Sequence, residues 1–285
     1  YYMSIYEHLV LKIARRWVAG SSMQEALEYA RQANSMGMKT IINYLGEHSI
    51  SKEEAESSTD EYIGLLDAIH SSGIDGSISI KLTQIGLDVD YDTCIGNLMR
   101  IVRHASIYDT FVWIDMESSP YYEHTVSMYL DVLKHYKHTG LAYQAYIKEH
   151  SLDIMHILES GGIVRLVKGA YREDARIVYR SKRYVNSSFR RLMRILFKHS
   201  KGMFAIATHD NMLIEEAIAL SKEQPAKDFE FQMLKGIRDD LKHMLVRQGF
   251  RVAEYIPYGI NISGYVYRRI RERPANLLLL ARSLL

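Results

Sequence analysis

The chain has 285 residues, 47% hydrophobic and 25% charged, a balance that excludes disorder and is large enough to bury one sizeable core. Lys and Arg number 36 against 34 Asp and Glu, and this net charge of +2 is scattered, which excludes the broad basic footprint of a nucleic-acid binder. The single cysteine, Cys94, excludes an intrachain disulfide and suits a reducing, cytoplasmic setting, and no run of about 18 apolar residues suggests a membrane span.

The first residue is Tyr1, which leaves a longer parent protein open. Ile5 to Met36 reads as two short helices broken at Ser21 and Ser22, so residues 1–38 are expected to pack outside a barrel occupying 39–285. From residue 39 onward, short β-branched or aromatic runs alternate with amphipathic stretches. The expected strands are Lys39–Leu45, Ser77–Leu82, Phe111–Met116, Leu141–Ile147, Ile163–Val167, Met203–Ala207, Phe229–Met233 and Arg251–Ile256. Between them, Ser58–Ser72, Glu123–Lys137, Asp210–Lys222 and Arg238–Gln248 carry helical periodicity, and Gly73, Gly140, Gly162 and Gly249 stand where helices should end. The basic run Phe189–Arg194 reads as a solvated helix face. Ile262 to Leu285 is helical with a break expected near Arg273, before Pro274. Eight βα units without a linker predict an α/β fold, a TIM-like (β/α)8 barrel.

Such barrels carry their chemistry at the C-terminal strand ends. Lys81, Asp115, Gln144, Arg165, Lys168, Thr208, His209 and Tyr255 all map there. Lys81 and Asp115 could be only a rim ion pair, but polar groups at the same end of six strands favour a site for anionic ligands. Tyr265, Arg268, Arg269 and Glu272 share one helix face; paired guanidinium groups suit a planar carboxylate, and a surface ion-pair face is the bland alternative. His209 and Asp210 read either as a dyad or as a ligand donor beside a first-turn helix residue. Metalloprotease, P-loop and GxGxxG patterns are absent from the sequence.

Seven stretches, in order, resemble the signatures of the proline dehydrogenase family: Ser79–Leu87, Ile114–Glu117, Gln144–Tyr146, Arg165–Tyr171, Ala207–Asp210, Phe229–Leu234 and Tyr265–Asn276. The resemblance implies a distorted barrel with FAD at its C-terminal face, a C-terminal helix over the site, and oxidation of L-proline to Δ1-pyrroline-5-carboxylate. Carried over, Arg268, Arg269 and Lys81 would pair with the proline carboxylate, Glu272 would orient the arginines, and Tyr255 and Tyr265 would pack on the ring. Arg165 would lie near flavin N5. Asp115 would fix Lys81 beside the flavin, and Gln144, Lys168, Gly169, Ala170, Thr208 and His209 would hold the cofactor. A quinone acceptor, peripheral contact at the inner face of a membrane and a homo-oligomer are also implied; no metal is.

The sequence departs from the family pattern at Lys235, at Ser118-Ser119 and over Ile260–Gly264. The alternatives are a hydroxyproline dehydrogenase, opposed by the bulk of Tyr265, and a non-catalytic barrel that senses proline or an anion.

Overall fold

The computed structural model describes residues 16–148, 151–225, 227–260 and Tyr265. Its strands are β1 (Lys39–Tyr44), β2 (Gly76–Ile80), β3 (Val112–Ile114), β4 (Thr139–Gln144), β5 (Ile163–Val167), β6 (Phe204–Ala207), β7 (Phe229–Leu234) and β8 (Val252–Tyr258). Every neighbouring pair is parallel, and β8 returns to β1, with Ile41 opposite Tyr255, to close the barrel. Helix α1 (Met23–Ser35) precedes β1. Helices α2 (Lys52–Ser71), α3 (Tyr91–Ile107), α4 (Tyr122–His135), α5 (Ser151–Glu159), α6 (Lys182–His199), α7 (Asn211–Glu223) and α8 (Asp239–Arg247) follow β1 to β7 in turn.

Helix α1 starts at a capping box: Ser22 Oγ accepts from Glu25 N–H, while the Glu25 carboxylate accepts from the backbone N–H groups of Ser21 and Ser22. It packs across β1 and β8 through Ala26, Leu27, Ala30 and Ala33, so helical material N-terminal to β1 covers the closing seam. Residues 16–20, the end of the expected first helix, are turn and coil rather than helix, with Trp17, Val18 and Ala19 buried; the rest of that helix, and the C-terminal helix apart from Tyr265, lie outside the described residues.

Several expectations need correction. Gly73 (φ +62°) and Gly249 (φ +84°) do follow helix ends in left-handed conformation, but Gly140 lies within β4. It is there because Trp113, its partner on β3, fills the space: a Cβ on Gly140 would stand 2.3 Å from the Trp113 ring. After α5 the left-handed residue is Gly161 (φ +79°), not Gly162. The Phe189–Arg194 run does lie on a helix, α6, with Phe189, Leu192 and Met193 buried and Arg191 and Arg194 exposed as expected, while Arg190 and Arg194 grip Glu216 of α7 at 2.8 and 2.6 Å. β2 and β3 stop one residue before Lys81 and Asp115, and β8 continues past Tyr255 to Tyr258.

Candidate active site

Barrels of this type are ordinarily filled by branched apolar side chains. Here the lower interior is apolar but not uniformly branched, with Ile41, Trp113, Ala205 and Ala253 in one buried cluster. Higher up, strand alternation points Ser79, Arg165 and Gln232 inward, and Lys81 and Asp115 stand directly above β2 and β3.

Asp115 is the hub. Its Oδ2 accepts from Lys81 Nζ at 2.6 Å and from Tyr255 OH at 2.9 Å; its Oδ1 accepts from Arg165 Nη1 at 2.7 Å and from Ser79 Oγ at 2.8 Å. Burial alone would raise this carboxyl, but Lys81 and Arg165 outweigh it and hold Asp115 down to about 2. Burial likewise opposes the Lys81 charge, yet Asp115, with Tyr171 and Glu47, keeps the ammonium well above the ordinary lysine value. The Lys81–Asp115 ion pair of the bland reading is present, within a network that also takes in Arg165, Ser79 and Tyr255.

Arg165 is 4% exposed, and its guanidinium lies 4.4 Å from the centre of the Trp113 ring and 5.7 Å from that of Tyr255. Burial lowers its proton affinity while Asp115 counters. Tyr255, raised well above an ordinary phenol by burial and by Asp115, stays protonated and donates; Tyr265 is buried near enough to add to that shift. Gln144, closing β4, donates to Met116 O and Glu117 O at 3.1 and 3.2 Å.

The remaining candidates form a second group around β5 and β6. Lys168 binds Asp210 at 2.8 Å, and Asp210 also takes Asn186 at 3.2 Å and caps α7 through Met212 N–H. Asp210 is held by Lys168, Asn186 and the α7 cap, while His209 Nε2 accepts the Leu234 N–H at 3.0 Å, and neither set of bonds joins the two as a dyad. That bond leaves a proton on Nδ1. Thr208 is buried, Gly169 is left-handed (φ +102°) with the Tyr146 ring against it, and Ala170 is half-buried beside it. Arg268, Arg269 and Glu272 lie outside the described residues.

Sequence reasoning missed Ser79, Trp113, Gln232 and the part of Glu117. Glu117 ties the loop after β3 to that after β2, accepting Thr83 N–H at 3.0 Å and Thr83 Oγ–H at 2.6 Å. The polar positions were visible, but partners 67 or 86 residues away along the chain were not.

A family model described as proline dehydrogenase matches residues 26–281. The chain belongs to the proline dehydrogenase family. It is 37% identical over 265 residues to proline dehydrogenase 1 of Bacillus subtilis subsp. natto, covering 92% of this chain and 87% of that protein. Against the proline dehydrogenase of Deinococcus radiodurans it is 33% identical over 273 residues, covering 93% and 87%. The fold is similar to proline utilization A of Bdellovibrio bacteriovorus inactivated by N-propargylglycine, with TM-score 0.84, 24% identity, and 91% of this chain but 32% of that one covered. The chain thus spans about a third of that protein.

Members of this family use FAD, and the donor set suits it. Among the described residues, Arg165 Nη2 and Gln144 Oε1 are buried without a hydrogen-bond partner, one a donor and one an acceptor. A planar heterocycle with both kinds of polar edge answers both. The segment after β5 passes where only glycine fits, since a Cβ on Gly169 would come within 2.1 Å of Tyr146, and half-buried Lys168 adds a cation there.

Proposed function

We propose that this barrel oxidises L-proline to Δ1-pyrroline-5-carboxylate, the first step of proline catabolism, with FAD held at the C-terminal strand ends. The observation that carries the site assignment is the Asp115 hub, which gathers a lysine, an arginine and a tyrosine from separate strands around one carboxylate. When bound, FAD supplies the acceptor for the hydride that leaves proline C5.

The protein's part is orientation and charge. Lys81, fixed by Asp115, joins Arg268 and Arg269 on the substrate carboxylate, with Glu272 steadying the arginines. The rings of Tyr255 and Tyr265 shape an apolar wall for the saturated pyrrolidine. Asp115 is not the base: it already accepts four hydrogen bonds and remains ionised at neutral pH. Arg165 directs an unshared N–H toward the flavin, where positive charge favours the reduced state. Gln144, Lys168, Gly169, Ala170, Thr208 and His209 hold the cofactor.

The reading extends to a division at residue 38, a quinone as final acceptor, a cytoplasmic location with peripheral contact at the inner face of a membrane, and a homo-oligomer. Its support is the family resemblance and the net charge of +2. Among the described residues no helix is long and apolar enough to cross a membrane.

The test is steady-state turnover of L-proline and hydroxyproline with an artificial electron acceptor, in wild type and Arg268→Met. Proline turnover above hydroxyproline turnover, with KM for proline raised far more than flavin affinity falls in the variant, supports the assignment. Preference for hydroxyproline moves the chain to that substrate; turnover of neither contradicts the enzyme.

A further inference from the structure

The β7 signature Phe229–Leu234 carries no role in the proposed function, yet Glu230 and Gln232 are only 6% and 3% exposed. Strand alternation sends them to one face, and their bonds place that face inside the barrel. Gln232 Oε1 accepts from Arg165 Nε, and Gln232 Nε2 donates to Glu230 Oε1 at 2.6 Å. A guanidinium only donates and a carboxylate only accepts, so the amide between them has a single workable orientation. Arg165 is thereby held at Nε by Gln232 and at Nη1 by Asp115 and Ser79, and Nη2 is the nitrogen left over.

We propose that Gln232 and Glu230 are positioning residues for the reaction, Glu230 orienting the amide that clamps Arg165 so that its Nη2 stays turned toward the flavin. The inference rests on the proposed function for what occupies that side. Packing alone does not account for the pair, because a carboxylate is costly to bury in a barrel layer that branched apolar residues usually fill. Burial does raise the proton affinity of Glu230, opposed by Gln232, Lys39 and Arg165. Glu230 also lines a cavity of about 470 Å³ at the N-terminal end of the barrel, which gives the carboxylate a route to water. Lys81 and Arg165 share one carboxylate at Asp115, and Glu230 supplies a second negative charge along the same chain of bonds.

The test compares wild type, Gln232→Leu, Glu230→Gln and the exchanged pair Glu230→Gln/Gln232→Glu. The flavin midpoint potential is measured by dithionite titration against a reference dye, alongside kcat and KM for proline. Gln232→Leu frees the Arg165 Nε edge; kcat should fall about tenfold with KM within about twofold, and the potential should drop by about 30 mV, tenfold for a two-electron couple. Glu230→Gln keeps volume but lets the amide turn either way, so about a threefold effect, about 14 mV, is expected; it carries the test should Gln232→Leu fail to fold. The exchanged pair again places an acceptor against Arg165 and should recover kcat to within about threefold of wild type. An unmoved potential in the single variants, or no recovery in the exchanged pair, overturns the proposal. Because dithionite needs no proline, a shifted potential in a protein that proline cannot reduce would sink the proposed function instead.

Discussion

The two ends of the barrel hold similar charges in opposite ways. At the C-terminal end, Lys81, Arg165 and Asp115 are buried, share atoms, and leave one guanidinium nitrogen unsatisfied. At the N-terminal end, Lys39 pairs with Asp75 at 3.6 Å and His138 with Asp109 at 2.8 Å, each pair about half or more exposed and each closed on itself. Exposed pairs contribute roughly 0–1 kcal/mol, whereas removing one partner of a buried pair costs about 3–5 kcal/mol. A cavity of about 470 Å³ opens at the N-terminal end, and among the described residues no carboxylate shared by several cations lines it.

The largest expected effect that sharpens this contrast is Asp115→Asn. It strands Lys81 and Arg165 as buried cations, so denaturant unfolding should show a loss of about 3 kcal/mol and turnover should fall at least about a hundredfold. A stable, active variant would erase the distinction between the ends. Tyr255→Phe removes one of four donors to Asp115 and should lower kcat/KM about tenfold, with about 1 kcal/mol of stability lost.

The pH dependence is next in size. Asp115 has a folded value of about 2 against an ordinary 3.8, so its contribution is complete above 3.8 and is lost as pH falls through about 2. Lys81 is raised above 10.5, so its contribution is complete below that value and is lost only as pH climbs through the higher folded one. The stability difference between wild type and Asp115→Asn should therefore shrink in acid below about 4, where Asp115 takes up a proton, and again in alkali, where the variant's Lys81, buried without its carboxylate, loses its own. An acid limb that is the same in both proteins would show that the hub is not ionised as described. The smallest effect belongs to the other end: His138→Ala should change stability by less than about 1 kcal/mol and leave turnover unaltered.

Much of this was legible in the sequence because strands write their inward face with period two. Ile163–Val167 was bounded as observed, and Lys81 and Asp115 do stand at the C-terminal ends of β2 and β3, whereas Arg165 lies in the middle of β5. Local pattern could not say where hydrogen bonding stops, so Lys81 and Asp115 sit just beyond their strands. Gly140 looked like a helix end since its real constraint, the Trp113 ring, comes from another strand. In Phe229–Leu234 the alternation of polar and apolar residues was plain, but its meaning depended on Arg165 lying across the barrel. The carboxylate clamp Arg268, Arg269 and Glu272 remains a reading of helix spacing and family resemblance.

Anaerobic mixing of the purified flavoprotein with L-proline, followed at the oxidised flavin absorbance maximum, tests the central claim most directly. The account predicts rapid bleaching by wild type and bleaching slowed at least about a hundredfold in Asp115→Asn that still carries flavin. A wild-type flavin that proline leaves oxidised, or an Asp115→Asn flavin bleached at the wild-type rate, would contradict it.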